Sequence, residues 1–192
     1  TRAEGFASRS CVYVLEDWMK RSFVSCKYYN TEELLNKTGL IVTKVLTMLN
    51  REVENISFAS KDFNPEIEEM EISDNDKLEL NKVFDYIVNV HEELTENKEK
   101  DVAKKLYTET HLVSLIPFVK QSMDNNVNES MFAEYLINFF KTENDSDVYT
   151  QYMEACSGGV ARNGSIVARH NALGKSYAEF FKTNEENVLT TA

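Results

Sequence analysis

Cysteine, glycine and proline are scarce in this chain, at three, six and two of 192 residues. Cys11, Cys26 and Cys156 form an odd set without CxxC spacing. That argues against a disulfide framework and a zinc knot, and fits a reducing, cytoplasmic setting. All-β chains turn often and draw on glycine or proline to do so, which disfavours that class. No apolar run approaches the roughly 20 residues that span a bilayer, so no membrane crossing is expected. There is no signal-like apolar segment, and the chain begins at Thr1 rather than Met, so it reads as an excised fragment.

What is present is enough for a core. Hydrophobic residues make up 42% and aromatics 11%, sufficient for one domain, or a domain with a second small lobe. The net charge of −11 disfavours a nonspecific nucleic-acid coat. It is unevenly spread. Residues 1–60 hold eight basic and seven acidic side chains, leaving 13 basic and 25 acidic beyond them. The two parts are therefore expected to face different partners.

Apolar spacing of three and four residues recurs along the chain and predicts seven or eight helices with no sheet. Cys11, Val14, Leu15, Trp18 and Met19 give a first buried face. Leu34 and Leu35 give a second, followed by Gly39 as a stop and then Val45, Leu46, Met48 and Leu49. From Ile56 to Asp76 the pattern fades, Pro65 blocks a helix and carboxylates crowd together, which suggests a tether. Leu80, Val83, Phe84, Ile87, Val90 and Leu94 then form a clear amphipathic helix capped by Ser73 or Asp74. Further faces follow at Leu112–Met123 (with Pro117 forcing a start or kink), Phe132–Phe140, Val148–Met153 (capped by Asp145 or Ser146) and Ile166–Phe181. The fold expected is all-α, a multi-helix bundle with a small helix-turn-helix-like N-terminal lobe. Its parts are residues 1–60, an acidic connector over 61–77, and a helical bundle over 78–192.

Two segments carry the functional expectations. Thr31–Asn50 looks like a helix-turn-helix bent at Gly39, whose second helix would present Thr43, Lys44, Thr47 and Arg51 to a DNA major groove. Plain helix packing is the competing reading. Between Ser157 and Ser165, a glycine-rich loop opening a helix suggests an anion site of Gly158, Gly159, Arg162, Ser165 and Arg169. It matches neither a P-loop nor a dinucleotide fingerprint, and a mobile connector is the alternative.

His91, His111 and His170 are far apart and match no metal motif, and each is expected to be a satisfied core or surface residue. The carboxylates fall in runs that normally mean solvation. No catalytic residue, metal site or cofactor is expected.

The stretch Leu106–Pro117, then Phe132–Phe140, then Tyr152–Phe181 with Arg169 and Tyr177, resembles the helical tail of the ParB-like family that includes modification-dependent restriction enzymes of the GmrSD type. In that family the chemistry is attributed to an N-terminal nuclease domain with an Asp-Gly-Gln-Gln-Arg-type motif, which does not occur in this sequence. The resemblance implies an accessory piece of a DNA-linked defence protein, with any nuclease site outside it. The leading expectation is thus a non-catalytic binding module of a prokaryotic DNA-associated protein. A second is an acidic protein–protein interaction scaffold that takes a basic partner. A third is an enzyme acting on a phosphorylated small molecule at the Gly158–Arg169 loop.

Overall fold

The computed structural model describes residues 31–106, 108–141 and 146–190. The expected first helix around Trp18, along with Cys11, Cys26 and the Asp145 cap, lies outside the described residues. Those described are all-α: α1 Thr31–Asn50, a 3-10 turn Val53–Asn55, α2 Ser60–Glu69, α3 Asp74–Glu96, α4 Lys100–Lys105, α5 Glu109–Asp124, α6 Glu129–Phe140, α7 Asp147–Ser157 and α8 Asn163–Thr190. No described helix is long and apolar enough to cross a membrane.

The helix starts follow local chemistry. Ser73 and Asp76 form a reciprocal capping box at α3. Asn128 accepts from Met131 N at the start of α6, and Ser146 accepts from Tyr149 N at the start of α7. α3 is the central strut, with Leu80, Val83, Phe84, Tyr86, Ile87, Val88, Val90 and Leu94 buried on its inner face. It packs against α6, while α1 lies against α5 and α7 pairs with α8. Tyr135 of α6 sits inside a nest of rings, edge-on to Tyr177 at 5.3 Å and to Phe180 at 5.7 Å. Its hydroxyl donates to Leu173 O at 3.3 Å.

The structure corrects the sequence reading at two places. The expected helix-turn-helix is a single helix, because α1 runs through Gly39 without a break. An interior glycine costs a helix about 1 kcal/mol relative to alanine. Burial of Ile41, Val42, Val45, Leu46 and Met48 outweighs that penalty.

The expected connector contains helix α2, with Pro65 inside it. Phe63 and Ile67 anchor it, at 2% and 1% exposure. Phe63 also meets Phe58 edge-on at 5.0 Å. Pro117 lies inside α5 and not at its start, with Leu112, Leu115, Ile116 and Val119 buried on both sides of it. In each case the packing of a whole apolar face exceeds the cost of one missing N–H.

Residues from Ile41 to Tyr177 form one hydrophobic cluster. The divisions drawn at residues 60 and 77 therefore do not show as separate cores among the described residues.

Phe63→Ala is expected to lower global stability by about 3–5 kcal/mol, as a fully buried aromatic does. Denaturant unfolding checks this. A near-neutral result would mean that α2 is a tether after all.

Candidate functional site

The residues expected to face DNA do not form a surface. Thr43 and Thr47 are buried, at 0% and 1% exposure, and Thr47 Oγ1 donates to Thr43 O at 2.9 Å. Lys44 is paired with Glu109 of α5 and lies 5.5 Å above the Phe58 ring. Arg51 bonds Glu66 through Nη1 at 2.8 Å. The outward assignment depended on a bend at Gly39. In a continuous helix, the face carrying Thr43 and Thr47 turns into the core.

The glycine-rich loop is a joint. Arg169, 3% exposed, donates from Nε to Ser114 Oγ at 2.8 Å, from Nη1 to Ala155 O at 2.9 Å and from Nη2 to Val160 O at 2.9 Å. Ser114 in turn donates to Thr110 O at 2.7 Å. The guanidinium is therefore engaged internally, tying α5, the end of α7 and the loop together. Ser165 Oγ donates back to Gly158 O at 3.4 Å, and the N–H groups of Ser165 and Ile166 are taken by Arg162 O.

Gly159 has φ +59°, a left-handed conformation suited to glycine, and a Cβ there would meet Arg162 Cδ at 3.3 Å. Gly158 and Arg162 are exposed. Of the five residues expected to hold an anion, Arg169 and Ser165 thus bond their own chain.

Asn163, unremarked in the sequence, closes this joint. Its Nδ2 donates toward Val53 O, Glu54 O and Ile56 O at 3.2, 2.8 and 2.8 Å. Phe58 N donates to Ala161 O at 2.8 Å. The α7–α8 loop is thereby bound to the segment following α1, a contact that spans about half the chain.

Beside Arg169 lies a buried polar seam. His111 is buried, and its Nδ1 is 2.8 Å from Tyr152 Oη. Burial, followed by Lys105 and Arg169, pulls the His111 pKa down to about 4. Tyr152 is raised well above its ordinary value by burial, so it stays a neutral phenol. Burial also pushes the half-buried Cys156 thiol up, away from the reactive thiolate. Neutral imidazole, neutral phenol and protonated thiol make a structural network with no activated nucleophile. His170 stacks on Phe118 at 5.1 Å. No group of three or more His, Cys, Asp or Glu among the described residues could hold a metal ion.

A strongly acidic concavity lies elsewhere, between the C-terminal half of α3 and the start of α6. This cleft of about 360 Å³ is lined by Glu92, Glu93, Glu96 and Glu129 with Asn89, Asn128 and Ser130, and by no basic side chain among the described residues. Met131 is exposed next to it in sequence. The signal for this cleft in the sequence, Glu92-Glu93, reads as a solvated run. Its pairing with Glu129 came only from the fold.

Together these features define an all-α, multi-helix protein whose central polar groups serve its own packing. Compared with protein-family models, with curated proteins and with solved structures, the chain matches none.

Asn163→Ala, which orphans several carbonyls at once, is expected to cost about 1–3 kcal/mol in denaturant unfolding. The His111 pKa is lower in the folded state than the ordinary 6.5. Its contribution is therefore fully present above pH 6.5 and is lost as pH falls toward about 4. His111→Gln is expected to flatten that part of the stability profile, read by thermal unfolding across pH.

Proposed function

We propose that this chain is a non-catalytic interaction module that takes a basic protein segment into the acidic cleft between α3 and α6. The observation that carries this reading is four carboxylates converging on one concavity with no cation among the described lining residues. Such a surface favours encounter with a basic partner and repels nucleic acid. The tail resemblance supports the accessory character of this reading, because the chemistry of that family is attributed to another domain. The DNA-facing alternative has less support, since Thr43 and Thr47 are in the core and Lys44 and Arg51 are paired.

A lysine- and arginine-rich peptide, followed by fluorescence anisotropy, tests the proposal. Binding is expected at low salt and is expected to weaken steeply as salt rises. Glu92→Lys, Glu93→Lys and Glu96→Lys together should abolish it, while duplex DNA should not bind the unmodified chain. Peptide binding that survives the triple reversal, or tight duplex binding, would refute this assignment.

A further inference from the structure

Asn163-Gly164 is the one Asn-Gly pair in the sequence. In such a pair the main-chain nitrogen of the glycine can attack the side-chain amide carbon of the asparagine, because glycine has no Cβ to shield the approach. The fold places this pair in the first turn of α8 and treats its two halves in opposite ways.

The attacking half is open. Gly164 is exposed, a Cβ built on it meets nothing within 4 Å, and its N–H bonds no backbone carbonyl among the described residues. N–H groups in a first helical turn lack an intrahelical partner, so solvent base can reach the proton that must leave. The attacked half is held. Asn163 Nδ2 donates to Val53 O, Glu54 O and Ile56 O at 3.2, 2.8 and 2.8 Å, and its backbone is helical. Ring closure needs the side chain to turn and the backbone to leave the helical region, so it must wait until the loop parts from residues 53–56.

The chemistry would reverse the role of the side chain. A bond forms from Gly164 N to Asn163 Cγ, and the bond from Cγ to Nδ2 breaks. Nδ2 departs as ammonia with the proton given up by the Gly164 nitrogen. Water then opens the five-membered ring at either carbonyl and leaves aspartate or isoaspartate. An ionised carboxylate only accepts hydrogen bonds, so it has nothing to donate to the three carbonyl oxygens that the amide served. Their partial negative charges repel it, while the positive end of α8 draws it the other way.

We propose that Asn163 is a self-modification site, deamidated by the Gly164 nitrogen and water while the α7–α8 loop is released from residues 53–56, and that the carboxylate formed keeps the loop released. The contact that holds the joint thus protects the amide, and each opening exposes it to a one-way change.

The test follows Asn163 by peptide mapping and mass spectrometry during incubation in mildly alkaline, oxygen-labelled water, with the same chain unfolded in urea as the unclamped reference. Modification with uptake of solvent oxygen is expected in both. It should be about tenfold or more slower in the folded chain, where it depends on local opening. Gly164→Ala fits the space available, so it should keep the melting temperature and suppress the reaction. Ser114→Ala removes an acceptor from Arg169, which also holds Val160 O in the loop, and should speed the reaction toward the unfolded rate. Should that variant not fold, urea below the unfolding transition replaces it.

The purified modified chain, and Asn163→Asp, should melt at least as low as Asn163→Ala and be cut sooner by trypsin at Arg162. A folded chain that reacts as fast as the unfolded one, or no acceleration when the joint is loosened, would overturn the gating. Modified chain with unchanged melting and cleavage would overturn the release.

Discussion

A guanidinium withdrawn from water depends on the oxygens that replace its hydration, and Arg169 finds all of its recorded partners on other parts of the fold. Ser114 comes from α5, Ala155 from α7 and Val160 from the loop. Removing any one would leave a buried charge short of an acceptor, so the three elements are held in a single mutual arrangement. Asn163, six residues earlier on α8, ties the same loop to the segment after α1. Packing of α7 against α8, and of the loop against residues 53–58, follows from these two side chains.

That joint also sets the protonation of the polar groups around it. Burial there disfavours the charged forms of its titratable groups. Tyr152 and Cys156 are pushed toward their uncharged forms, and His111 is kept neutral above about pH 4. Exposed charge lies at the surface, as in the acidic cleft between α3 and α6.

Much of the architecture could be read in advance. The amphipathic period of α3 and its Ser73 cap, the Ser146 cap and the absence of strands are local properties of the chain. Gly39 and Pro65 misled for a common reason. Each weakens a helix by a local amount, and each sits where buried neighbours contribute more. The candidate site was less legible. Thr43 and Thr47 look polar in sequence, yet Thr47 satisfies its hydroxyl within the helix and both side chains pack inward. Arg169 resembles an anion ligand until its backbone acceptors are known.

By itself, the sequence determined an all-α protein with a strongly acidic C-terminal portion, because helical period, capping residues and net charge are settled by neighbours along the chain. The tertiary structure alone decided which polar residues are spent inside and which face outward. A side chain's exposure depends on segments up to a hundred residues away, as Asn163 and Val53 show. It likewise decided that Glu129 joins the Glu92–Glu96 carboxylates and that Glu66 meets Arg51, since only packing brings separate helix ends together.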